Sequence, residues 1–80
     1  MNTRQCVACR ILELCRERNI SLNEMARLAA LPPSTLKSIM NGDSKNPGIV
    51  TIKFLCDGLG ITLADFFETE AFRSLKQEIC

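Results

Sequence analysis

The sequence predicts an all-α fold, a compact bundle of five short helices followed by a helical tail. Three observations predict it. Apolar residues recur at helical spacing between the breakers, strand alternation is missing, and capping or helix-breaking residues punctuate the chain every ten to fifteen positions or so. Eighty residues with 46% apolar content suit one small domain. Residues 1–68 form that domain, and 69–80 form a helical tail that packs on it or joins a second subunit. A core of this size buries only roughly 60% of the surface of its unfolded chain, so a second subunit would add stability and a deep cleft is not expected.

The first helix, about 3–18, sets Val7, Ile11, Leu14 and Cys15 on one stripe and leaves Arg10, Glu13, Arg16 and Glu17 for water. Ser21-Leu22-Asn23-Glu24 reads as a capping box, the Ser21 hydroxyl accepting from the Glu24 amide and the Glu24 carboxylate reaching back to the Ser21 amide. The second helix then runs from Leu22 to about Ala29, with Leu22, Met25, Ala26, Leu28 and Ala29 turned inward. It must stop before Pro32-Pro33, because the residue ahead of a proline is pushed out of the helical region. Pro33 suits the first position of a third helix, where its missing amide proton has no partner to lose.

That third helix, about Pro33 to Asn41, buries Leu36, Ile39 and Met40 on one side. Its opposite side is thereby fixed as Ser34, Lys37, Ser38 and Asn41, and Asn41-Gly42 supplies the stop. A polar loop from Asp43 to Gly48 follows, with Gly48 placed to cap a fourth helix, about 49–58, burying Ile49, Ile52, Leu55, Cys56 and Leu59. Thr62 and Asp65 repeat the cap-plus-acid arrangement and open a fifth helix through Leu63, Phe66 and Phe67. Ala71, Phe72, Leu75 and Ile79 continue at helical spacing through the tail.

Composition removes most chemistry. The chain has no His, Trp or Tyr, which excludes His-based nucleophilic triads, His-containing zinc sites and most base-stacking aromatic platforms. The carboxylates are scattered, no phosphate-cradling glycine loop exists, and no nucleophile has an adjacent base, so no enzyme is expected. Five cysteines without a secretory leader imply reduced thiols and a cytoplasmic protein. Cys15 and Cys56 fall on core stripes. Cys6-Val7-Ala8-Cys9 is a lone C-x-x-C, so no metal or other cofactor is expected, and Cys6, Cys9 and Cys80 are open only to incidental oxidation. No apolar run approaches the ~20 residues of a membrane span.

Charge is unevenly spread. Residues 1–53 carry eight basic and four acidic side chains, a balance of +4, and residues 54–80 carry two and five, a balance of −3. That pattern gives a front suited to a polyanion and an acidic back. Two short helices, Leu22–Ala29 and Pro33–Asn41, joined by a tight turn, make a helix-turn-helix pattern whose second member carries a small polar face. A major groove about 12 Å wide admits one helix, and short hydroxyl and amide side chains on it reach base edges.

Over about residues 7–68 the chain resembles the phage-repressor and Cro-like helix-turn-helix family, the xenobiotic-response-element class of bacterial regulators. The resemblance rests on Ala26, on the apolar positions Met25, Ala29, Leu31, Leu36 and Ile39, on Asn41-Gly42 with Ser44-Lys45-Asn46-Pro47, and on Leu59-Gly60-Ile61-Thr62-Leu63 with Phe66-Phe67. It departs where the family's turn glycine is replaced by Ala30, which costs roughly 1 kcal/mol in a left-handed conformation. Pro32 stands for a customary Ser or Thr cap, and Pro33 for a position that often carries a base-reading Gln or Arg.

The resemblance implies a sequence-specific, double-stranded-DNA-binding regulator, a repressor acting as a homodimer. Base reading then centres on Pro33, Ser34, Lys37 and Ser38. Leu22, Asn23, Thr35, Asn41, Lys45 and Asn46 hold the DNA backbone, and Phe72, Leu75 and Ile79 serve dimerisation. The competing reading keeps the fold but makes protein binding primary, an antitoxin-like or adaptor module docking a partner through its acidic, Phe-bearing C-terminal part.

Overall fold

Asn2 starts the chain's first helix by a reciprocal capping box with Gln5, its side chain accepting from the Gln5 amide at 2.9 Å while the Gln5 side chain accepts from the Asn2 amide at 2.8 Å. The computed structural model describes residues 1–44 and 46–79, so Lys45 and Cys80 lie outside the described residues. Among these are six helices: α1 (Thr3–Arg18), α2 (Leu22–Leu28), α3 (Pro33–Asn41), α4 (Ile49–Leu59), α5 (Leu63–Phe67) and α6 (Glu70–Arg73). No strand occurs among the described residues.

α1, α2 and α4 end in the same way. The amide just after the bend that closes each helix returns to the turn below it, from Ile20 to the Cys15 carbonyl at 3.0 Å, Leu31 to Ala26 at 2.9 Å and Ile61 to Cys56 at 3.0 Å. This closure requires a left-handed residue at the bend. Asn19 (φ 56°), Ala30 (φ 57°) and Gly60 (φ 70°) fill that position in turn. Asn and Gly tolerate it; Ala30 keeps the bend that a glycine would take without strain.

The core is Val7, Ile11, Leu14 and Cys15 of α1, Met25 and Ala26 of α2 with Ala29, Leu36 and Ile39 of α3, Ile52, Leu55, Cys56 and Leu59 of α4, and Phe66 of α5. Phe66 is fully buried and meets Phe67 edge-to-face at 5.0 Å, and Phe67 meets Phe72 at the same distance. Phe72 therefore fastens α6 to the body of its own chain.

Several expectations are corrected. Arg10 does not point to water: its Nε donates to the Phe66 carbonyl at 2.7 Å and its Nη2 to the Asp65 carbonyl at 2.9 Å, with Glu13 as ion-pair partner. The end of a helix leaves carbonyls without intrahelical partners, and α5 satisfies two of its own with this guanidinium. The Glu24 carboxylate turns to the Arg27 guanidinium, 3.0 Å from its Nε, instead of back to the Ser21 amide, so only the Ser21 half of the capping arrangement forms.

Leu28 is 39% exposed, because it falls about 110° from the centre of the inward stripe of α2. Ile49 is 57% exposed, since burial in α4 begins only at Ile52. Cys6, expected to be open to oxidation, is buried, with its Sγ donating to the Ala71 carbonyl at 3.6 Å.

The tail is helical only as far as Arg73. Short helices survive by burying a face, and the face expected at its far end has nothing to cover it: Ile79 is 79% exposed. The chain instead runs on without helix until the Glu78 carboxylate accepts from the Thr3 amide at 3.3 Å and from the Thr3 hydroxyl.

Candidate nucleic-acid interface

α3 packs on α2 and α1, α2 packs in turn on α4, and a single close approach sets the separation of α2 and α4. A Cβ built on Gly58 would lie 2.6 Å from the Leu28 carbonyl oxygen and 2.9 Å from the Ala29 nitrogen, so α4 touches the end of α2 backbone to backbone. Glycine at this position in α4 is what permits the contact.

α3 starts at the double proline as its sequence requires. Pro32 is extended (φ −61°, ψ 140°) with no side-chain cap, Pro33 occupies the first helical turn, and the Thr35 amide donates to the Pro32 carbonyl at 3.0 Å. Leu36 and Ile39 anchor it in the core and Met40 is half-buried. At its far end Gly42 adopts φ 84°, the Arg4 Nη1 donates to the Ile39 carbonyl at 2.9 Å, and the Ser44 amide donates to the Ser38 carbonyl at 3.1 Å. A guanidinium at a helix C-terminus meets both unpaired carbonyls and the negative end of the helix dipole. Arg4 is thus a positioning residue for α3 that sequence reading treated only as one of the basic side chains, because its partner lies 35 residues away.

The outward side of α3 carries Pro33, Ser34, Lys37 and Asn41, all exposed, with Thr35 and Ser38 half-buried along its edges. Lys37 makes no ion pair among the described residues, whereas Arg10, Arg27, Lys53 and Arg73 each have a carboxylate partner. At the start of α2, Asn23 is exposed and Leu22 is half-buried against the core. Asn46, exposed, belongs to the loop after α3, and Lys45 falls outside the described residues. Nine of the twelve nominated residues that are described thus cluster on α2, α3 and the adjoining loop. The remaining three, Phe72, Leu75 and Ile79, lie in the tail, where Phe72 is spent on the aromatic cluster, Leu75 is half-buried and Ile79 is exposed.

The described cysteines, Cys6, Cys9, Cys15 and Cys56, lie on α1 and α4, outside this face. Cys15 and Cys56 are buried, and burial raises both above the ordinary thiol range, which keeps them protonated and unreactive at neutral pH. No group of three or more Cys, Asp or Glu side chains suited to a metal ion occurs among the described residues. No helix among them is long and apolar enough to cross a membrane.

Two helices joined by a left-handed bend, with the second held at both ends and its polar side outward, define a helix-turn-helix DNA-binding domain. The Cro/C1-type HTH DNA-binding domain matches residues 10–71, and the chain belongs to that family. It is also similar to a solved structure described as the crystal structure of the prophage Lp1 protein 11. The two share 36% identity with a TM-score of 0.81, over 94% of this chain and 100% of that one. No curated protein matches the chain.

Proposed function

We propose that the protein is a sequence-specific regulator of transcription, a repressor that inserts α3 into the major groove of duplex DNA and binds as a homodimer. The observation that carries this reading is the outward face of α3: Ser34, Ser38 and Asn41 offer donors and acceptors, and Lys37 offers a charge without a carboxylate partner among the described residues. Pro33, at the head of the helix, contributes an apolar surface to the same reading. The groups proposed for the phosphates are the main chain of Leu22, the side chains of Asn23, Thr35, Asn41 and Asn46, and Lys45; they position the helix without specifying sequence. A domain seated in a promoter's groove excludes other proteins from it, which is the simplest route to repression.

Selection of bound sequences from a random duplex pool tests this directly. The expected result is a pair of related half-sites about 34 Å apart, centre to centre. Ser34→Ala or Ser38→Ala shifts the selected bases, whereas Lys45→Ala weakens all sequences about equally and reduces the salt slope by about one. Equal affinity of the parent protein for a selected and a scrambled duplex at physiological salt defeats the proposal.

A further inference from the structure

α4 has a second face that the core does not use. At about 100° per residue its buried side chains, Ile52, Leu55, Cys56 and Leu59, span an arc of about 100°. The next arc, about 140° wide, carries Ile49, Lys53, Asp57, Val50 and Phe54. Ile49, Val50 and Phe54 are 57%, 63% and 44% exposed, and Phe54 shares a shallow hollow with the exposed Leu28 of α2. Val50 and Phe54, one turn apart, and Leu28 beside Phe54 group apolar side chains on one border of this arc, and Ile49 stands on the other, which is more than the singly scattered apolar residues normal on a protein surface.

We propose that this face of α4 pairs two copies of the chain about a twofold axis. The inference rests on the DNA-binding reading above and names the surface that makes the dimer. Charge selects the occupant. Lys53 and Asp57 sit one turn apart in the middle of the exposed arc, flanked by the apolar residues. When two such helices meet antiparallel with the axis near residue 55, Lys53 faces Asp57 of the partner subunit, Asp57 faces Lys53 of the partner subunit, and Phe54 falls beside its own copy. An isologous interface demands this kind of self-complementarity. A stable free dimer needs about 800 Å² from each partner, more than four side chains supply, so the pair is weak alone and is consolidated when two half-sites hold the copies together.

The test is self-association without DNA, by sedimentation equilibrium, with helicity checked for each variant. Lys53→Glu places acidic groups opposite acidic groups and Asp57→Lys places basic opposite basic; each raises the dimer dissociation constant about tenfold or more. Mixing the two variants yields a heterodimer at least as tight as the parent homodimer, and the double swap Lys53→Glu with Asp57→Lys restores the homodimer. Phe54→Glu abolishes pairing while binding to a single half-site duplex persists. The proposal is overturned if both single swaps associate like the parent, if the mixture gains nothing, or if pairing is lost on Leu75→Ser with Ile79→Ser instead. A parent chain that stays monomeric both free and on a two-half-site duplex overturns it equally. Because half-site binding is read separately, failure here is distinct from failure of the DNA-binding reading.

Discussion

Single residues decide more of this fold than its size suggests. Ala30 holds a left-handed conformation that costs an L side chain about 1 kcal/mol, and its methyl group is exposed. Ala30→Gly is expected to stabilise the protein by about 0.5–1 kcal/mol, read as a rise of several degrees in the thermal midpoint. Arg10 is expected to behave in the opposite sense. Its side chain is only 12% exposed and donates to two carbonyls at the end of α5, so Arg10→Ala lowers stability in urea by about 2 kcal/mol. Gly58→Ala forces a methyl group into the α2 main chain, and a loss of about 1–3 kcal/mol by denaturant titration is expected despite the better helix propensity of alanine.

Helices and their ends were the most legible part of the sequence. The start of α3 at Pro33, its end at Asn41 and the cap at Thr62 follow from proline geometry, glycine and short polar side chains, all of which act within a few residues. What the sequence concealed was long-range: Arg4 at the end of α3, Arg10 at the end of α5, and the return of the tail to Thr3 join positions 35 to 75 residues apart. Periodicity also misled where no surface was available to bury a stripe, as after Arg73.

The cap of α5 carries a pH signature. Hydrogen bonds from the Thr62 amide and hydroxyl hold Asp65 below the ordinary carboxylate range, with the Arg10 guanidinium a smaller influence. Its folded pKa is therefore lower than its unfolded one. The stabilisation is complete above the unfolded value, near 4, and is lost as pH falls through the folded value. Asp65→Asn should lower the thermal midpoint at pH 7 and narrow the gap to the parent as the pH drops toward 3.

At the scale of the whole molecule, which spans 38 × 24 × 21 Å, one side carries the groups proposed to face DNA. The candidate groups on that side come from α2, α3 and the loop behind α3, a grouping that sequence spacing predicted because the three are contiguous. The proposed pairing surface is not legible in the same way: apolar residues at helical spacing look alike whether they face a core or the outside, so the spacing that predicts burial for Ile49 does not separate the two faces of α4. Binding to a two-half-site duplex is expected to weaken steeply with salt, with log K falling by about 0.9 per phosphate neutralised, and a gel-shift titration at two salt concentrations checks it.

The backbone contact at Gly58 has a mechanical consequence. With no side chain between α4 and the end of α2, the helix that carries the proposed twofold surface and the motif that carries α3 move as one piece. In the proposed pair the distance between the two reading helices is then set like the jaws of a fixed caliper. A single base pair added between half-sites rotates one of them by about 35° and shifts it about 3.4 Å, and a rigid pair has no hinge with which to follow.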